Sequence, residues 1–250
     1  LAGYFIWRPV ALISSGQAII TPAGLWERFS VFFAGIAQYL RLLLLPLDLH
    51  LEYASRSFKF SDPQAALGLA LAILLVVFAL IKRKKYPDIC LGIGWFFVAI
   101  LPVSNIYPIS YSYVMEHYLY APAIGFFIIL AGLPSYLPKK NIYKLFNFLL
   151  SFGLLTWYGV LTFQQAGYWK NPVALYKRTL QYNPQSWRFY NELGLEYASQ
   201  GKIQEAEKAF QDARQINPDA VGIGYNLMNL YRQAGDRPKF LQAKISTKQL

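Results

Sequence analysis

Cysteine is almost absent. Cys90 stands alone, so no disulfide forms within the chain. Its apolar setting reads as that of an inert, buried thiol. Histidine is nearly as scarce, with only His50 and His117. The pattern His50-x-Glu52 has no further His or Cys ligand nearby, too thin a set for zinc. The segments GIGW (92–95) and GIG (222–224) hold too few glycines, in the wrong setting, for a nucleotide loop. Neither a P-loop nor a Rossmann fingerprint occurs, and no metal or cofactor is expected. Charge is sparse too. Charged residues make up 15% of the chain, against 55% hydrophobic, with a mean hydropathy of +0.27. That balance excludes an average soluble domain. A net charge of +11 suggests nucleic acid in a soluble protein. Here the densest basic run, Lys82–Lys85, abuts an apolar span and marks membrane topology instead. No nucleic-acid partner is expected.

What is present is long apolar runs. A membrane span needs about 20 apolar residues. Five segments read as spans, at about 29–45, 64–81, 89–103, 118–137 and 145–164. The first is weakened by Gln38 and Arg41 and stopped by Pro46. The second has no charge. Charge is denser after residue 167, which divides the chain into a membrane domain, 1–167, and a water-exposed domain, 168–250. Leu1–Ile13, broken by Arg8-Pro9, reads as the tail of a longer apolar helix. It raises the expectation of further spans upstream. Lys82–Lys85 joins the second and third spans, and Lys139, Lys140 and Lys144 join the fourth and fifth. An even number of crossings puts both loops on one side, the cytoplasmic one. The loops 46–63 and 103–117, and everything after Gln164, then face the other side.

That outer side collects His50, His117, Asp48, Glu52, Asp62 and Glu116. Polar residues must lie in loops, and this alone accounts for each of them singly. The pairing of both histidines with acids on one side points further, to a site. The stretch YSYVMEHYLYAP (111–122) places Glu116 and His117 among tyrosines at the mouth of an apolar run.

Residues 187–218, WRFYNELGLEYASQGKIQEAEKAFQDARQINP, carry the tetratricopeptide pattern. Tyr190, Leu193, Gly194 and Tyr197 take the packing places of a first helix. Ala206, Phe210, Ala213 and Pro218 take those of a second. Small residues let the helices approach, large ones fill between them, and proline ends the unit. A second unit starts at Val221, with Leu227, Tyr231 and Gly235 in register, and decays at Pro238. Upstream, Pro172–Asn183 resembles the second helix of a preceding repeat, with Tyr176 in the large place. One repeat flanked by halves is marginal, because such units are stabilised by stacking. The array reads as a groove for a protein or peptide partner, or as a spacer packed on its own membrane domain.

Together these pieces resemble the transmembrane and tetratricopeptide-repeat O-mannosyltransferases and their bacterial relatives. YLRLLLLPLDLHLEY (39–53) is similar to that family's proline-ended span and the loop after it. LPVSNIYPIS (101–110) is similar to a short outer loop. VMEHYLYAPAIGF (114–126) resembles its acid–basic–aromatic signature, with Glu116, His117, Tyr118 and Tyr120 in those places. The resemblance implies an all-α fold: a partial GT-C-like membrane helix bundle followed by a tetratricopeptide array. It implies an inverting enzyme that takes sugar from a polyprenyl-phosphate lipid on the outer leaflet and passes it to a hydroxyl. The family's usual base is an acid in its first outer loop, which these residues do not include, so no catalytic residue is assigned. The donor phosphate needs a cation or hydrogen-bond donors. His117 and Arg41 are the candidates, with Glu116, Tyr118, Tyr120, His50 and Glu52 around them. For Arg41 the plainer reading is snorkelling to the interface. The expected partners are the bilayer, the donor lipid and a protein or peptide. The expected place is a bacterial inner membrane, with the repeats on the non-cytoplasmic side. The competing reading is a non-enzymatic, membrane-anchored scaffold for envelope proteins.

Overall fold

The computed structural model describes residues 24–53, 58–104, 106, 112–138 and 141–248. Leu1–Ile13, Lys139, Lys140 and most of the 105–111 loop lie outside them. Every regular element described is helical. Two compact units form. One comprises Ile20–Leu49 with Ser55–Ala166, and the other His50–Ala54 with Gly167–Leu250.

The first unit holds α1 (Leu25–Leu44), α2 (Pro63–Lys82), α3 (Pro87–Ile100), α4 (Tyr120–Gly132) and α5 (Asn141–Trp169). A 3-10 turn, Glu116–Leu119, leads into α4, and another, Leu133–Tyr136, follows it. Among the described residues, three helical stretches are long and apolar enough to cross a membrane: Pro63–Lys82, Glu116–Tyr136 and Asn141–Trp169. Pro87–Val103 is apolar but shorter. Helix α1 starts four residues earlier than the pattern suggests, and its first turns carry Glu27 and Arg28. Outward-facing leucines, isoleucines and valines on α2, such as Leu74, Leu80 and Ile81, are exposed. Such a surface is stable only against an apolar solvent.

Small residues set the helix crossings of this unit. A Cβ on Gly68 would collide with the backbone of Phe33, so α1 and α2 cross in near contact. Val31, Ala34, Phe58 and Ala65 fill the space beside that crossing, with Tyr113 against them. The Ser30 hydroxyl donates to the Phe58 carbonyl. The antiparallel pair α3–α4 meets at Gly92 and Gly125, where either glycine's missing Cβ would strike the other's carbonyl oxygen. Close backbone approach through glycine is how helices associate where lipid removes the hydrophobic drive. The Trp95 indole N–H donates to the Ala121 carbonyl at 2.8 Å. At the opposite end of the pair the Tyr136 hydroxyl donates to Asp88 at 3.3 Å. There the Tyr86 and Tyr136 rings pack edge to face at 4.8 Å. The basic turn Lys82–Lys85 therefore lies at the end where α4 finishes. Helix α5 attaches through Tyr158, whose hydroxyl donates to the Leu43 carbonyl at 2.6 Å.

The second unit is a stack of helices: α6 (Pro172–Tyr182), α7 (Trp187–Ser199), α8 (Ile203–Ile216), α9 (Val221–Gln233) and α10 (Arg237–Lys248). Asn171 caps α6 by accepting from the Ala174 N–H at 3.2 Å, ahead of Pro172. Gly201 and Gly235 hold positive φ, 72° and 70°, in the turns of successive helical hairpins. They lie 34 residues apart, the tetratricopeptide period. In the first hairpin Ala206, Phe210 and Ala213 are buried with Trp187, Tyr190 and Tyr197 against them. Leu193 sits in the neighbouring cluster with Leu180, Phe189 and Ala209. Pro218 follows the end of α8.

The second hairpin does not decay at Pro238. Helix α10 begins at Arg237, so Pro238 stands in its first turn, where a missing N–H costs nothing. Asp236 accepts from the Lys239 N–H at 3.1 Å, and Phe240 and Ala243 close the core. The array is thus two complete hairpins preceded by α6, with Tyr176 of α6 packed on Phe189 at 5.7 Å.

Candidate functional site

The candidate residues fall into two groups, one in each unit. In the membrane unit, Glu116 and His117 occupy the 3-10 turn at the mouth of α4, at the end of the α3–α4 pair away from Lys82–Lys85. A 3-10 turn has three residues per turn, so neighbours point about 120° apart rather than the 100° of an α-helix. Glu116 is half-buried and His117 exposed. The His117 ring meets the Tyr118 ring at 4.4 Å. The Tyr118 hydroxyl is shut off from solvent, with no hydrogen-bond partner among the described residues. Tyr120 is 78% exposed. The Tyr39 hydroxyl accepts from the Met115 N–H at 3.2 Å, which brings the C-terminal half of α1 to this segment. Arg41, in the last turn of α1, pairs with Asp48 at 3.3 Å. A cation there also meets the negative end of the helix dipole.

His50 and Glu52 stand in the other unit. His50 is 5% exposed and Glu52 3%. The His50 ring lies between Tyr53 at 4.1 Å and Tyr182 at 4.7 Å, nearly parallel to the latter. The Arg178 guanidinium stands over Tyr182 at 5.6 Å and over Tyr168 at 4.4 Å. The Leu51 N–H donates to the Thr179 hydroxyl at 3.2 Å. The Asn183 amide donates to Glu52 at 3.0 Å, and Arg188 stands 3.9 Å from its other oxygen. Burial pushes the Glu52 carboxyl above its usual range, opposed by the Ser186 hydroxyl, the Arg188 charge and the Asn183 amide. The segment His50–Tyr53 is thus packed into the flank of α6 and α7. The sequence groups it with Glu116 and His117 by membrane side, as loops opposite the basic turns. A short His-x-Glu-aromatic run has no periodicity to announce the helices it packs on.

The comparisons bear on both units. Residues 187–220 match the model of the tetratricopeptide repeat. Protein O-mannosyl-transferase Tmtc3 of Drosophila melanogaster is 29% identical over 160 residues, 61% of this chain and 17% of its own length. Protein O-mannosyl-transferase tmtc2 of Xenopus laevis is 32% identical over 128 residues, 50% of this chain and 15% of its own. Human protein O-mannosyl-transferase TMTC3 is 27% identical over 150 residues, 58% of this chain and 16% of its own. This chain is similar to the transmembrane and tetratricopeptide-repeat O-mannosyltransferases. It spans about a sixth of the length of these curated relatives. A match of 160 residues is longer than the repeat unit from Gly167 to Leu250, so the likeness reaches into the membrane helices. No solved structure matches the chain.

Proposed function

We propose that these residues are part of a membrane glycosyltransferase of the GT-C kind. It takes a sugar, mannose by its relatives' names, from a polyprenyl-phosphate donor and passes it to a hydroxyl of a protein or envelope acceptor. The repeats hold that acceptor or a partner. The observation that carries this reading is the 160-residue likeness to a protein O-mannosyl-transferase, which runs beyond the repeats into apolar helices. Geometry supports a donor-facing role for the turn before α4. His117 is exposed there, at the end of the α3–α4 pair opposite the basic turn. A phosphodiester at that interface accepts an imidazole N–H, or pairs with imidazolium. Tyr118 and the exposed Tyr120 lie at headgroup level, where aromatic rings anchor or stack on a sugar. Arg41 is the weaker candidate, because its charge is already taken up by Asp48. These residues bind and orient the donor; the general base is not assigned among them.

The test uses the full-length protein in nanodiscs with a polyprenyl-phosphate sugar. His117→Ala is expected to weaken donor binding about tenfold, the loss of one charge-assisted hydrogen bond, with the melting temperature unchanged. Glu116→Ala, which removes a half-buried acid, should lower both affinity and melting temperature. Wild-type affinity in His117→Ala would move the phosphate role away from this turn. The same reading puts the repeats on the non-cytoplasmic side, in a bacterial inner membrane. A cysteine at the exposed Lys202 should react with an impermeant thiol reagent in spheroplasts. Protection of Lys202→Cys until the membrane is opened would overturn that orientation.

A further inference from the structure

The turn between α2 and α3 gathers four cations, Lys82, Arg83, Lys84 and Lys85, and all four are exposed. None of them forms an ion pair among the described residues. The acid that follows, Asp88, is turned to α4. It accepts from the Tyr136 hydroxyl at 3.3 Å and packs beside Gly132. Its carboxylate lowers the positive field of the turn but does not cancel four charges.

The turn also has a fixed shape. The Lys82 carbonyl accepts from the Lys85 N–H and the Tyr86 N–H, each at 2.9 Å. Tyr86 is clamped by its neighbours. The Phe78 ring of α2 stacks on it at 6.2 Å, and the Tyr136 ring meets it edge to face at 4.8 Å. The Lys85 ammonium stands over the same ring at 5.1 Å. Next to the turn, Leu80 and Ile81 at the end of α2 and Leu91 on α3 are exposed. Helix α2 is long and apolar enough to cross a membrane, so these side chains meet acyl chains and the turn lies at headgroup level. Cations beside bare apolar side chains match the two halves of a lipid with a negative headgroup. Diffuse attraction of lysines to an anionic leaflet needs charge alone. A site needs that charge held in one place, and the clamp on Tyr86 holds it.

We propose that the α2–α3 turn is a binding site for a lipid with an anionic phosphodiester headgroup. Arg83 and Lys84 pair with the phosphate, as charge-assisted donors do. Lys85, set by Tyr86, completes the cations, and Leu80 and Ile81 pack on the acyl chains. The site lies at the end of the α3–α4 pair away from His117 and stands independently of the donor reading.

The experiment measures binding of a fluorescent short-chain phosphatidylglycerol to the full-length protein in a neutral detergent. Unlabelled phosphatidylglycerol should displace the probe, and phosphatidylcholine of the same chains should do so at least about tenfold less well. Glycerol phosphate, which has the headgroup chemistry without the chains, should not compete at the same concentrations. Arg83→Gln combined with Lys84→Gln should weaken binding at least about tenfold, since each cation near the headgroup contributes about fivefold. Tyr86→Leu keeps every charge and should weaken binding severalfold. Phe78→Leu, which loosens the clamp from the α2 side, should act in the same direction. Helical circular dichroism and donor binding should be retained in these variants. Probe binding should be unchanged in His117→Ala, which separates this site from the donor's. Equal displacement by phosphatidylcholine, or full binding by the charge variant, would overturn the proposal. Competition by glycerol phosphate would make this a free-phosphate site and overturn the lipid. Full binding by both clamp variants would leave diffuse attraction in place of a built site.

Discussion

Gly194→Leu unfolds the first hairpin and leaves the membrane helices intact. A Cβ on Gly194 would lie 2.6 Å from two ring carbons of Phe210. That ring is 1% exposed and sits among Ala206, Ala213 and Leu227, so it has nowhere to turn. Overpacking of this kind costs about 1–3 kcal/mol. The leucine also displaces a ring whose full burial contributes roughly 1.5–3 kcal/mol. Small stacked units have little stability to lose. Limited proteolysis should cut the variant within 187–216 while the α1–α5 fragment survives at wild-type rates. A hairpin as resistant as wild type would show that α7 and α8 are not in the register described. Gly194→Ala should be milder, since it adds only the Cβ.

Glu52 gives the second large effect, and its sign depends on pH. The carboxyl is buried and its folded pKa is raised above the ordinary 4.5. The folded unit therefore holds a proton that the unfolded chain has released. Stability is full at acid pH and falls as pH climbs from about 4.5 through the folded pKa. Glu52→Gln keeps an oxygen for Asn183 and removes the ionisation. Its stability should match wild type in acid and exceed it near neutrality, with a flat profile between. Glu52→Ala leaves the Asn183 amide and Arg188 without this partner, which costs about 1–3 kcal/mol at every pH. Hydrogen exchange across α6 and α7, followed from acid to neutral pH, reads both. Parallel profiles for wild type and Glu52→Gln would rule out a buried, titrating carboxyl.

The residues that announced the fold are those with a period or a length. Helix α2 has seventeen consecutive apolar or small residues, Ala65–Ile81, without a charge, and only a membrane span or a buried core helix reads that way. Leu193, Tyr197 and Gly201 of the first repeat recur 34 residues on as Leu227, Tyr231 and Gly235, which marked the start of the second. Its second half was harder to see. Ala206 is answered by Phe240 and Phe210 by Lys244, and Pro238 reads as a break unless the helix is known to begin just before it. The core there is refilled differently, with Thr247 packed on Gly224 where the first hairpin uses Ala213 and Tyr190. The site was legible only in part. Glu116 and His117 stood out by chemistry beside an apolar run. Nothing local tied Glu52 to Asn183, because 131 residues separate them and one buried hydrogen bond carries no sequence pattern.

Sugar transfer itself tests the central claim most directly. The full-length protein in nanodiscs is incubated with a radiolabelled polyprenyl-phosphate mannose and a threonine-containing peptide, and label on the peptide is released by β-elimination. The account predicts alkali-labile label on threonine, reduced about tenfold in His117→Ala at limiting donor. A protein that binds the peptide through its repeats, yet neither binds the donor nor labels any acceptor, would contradict it and leave a membrane-anchored scaffold in its place.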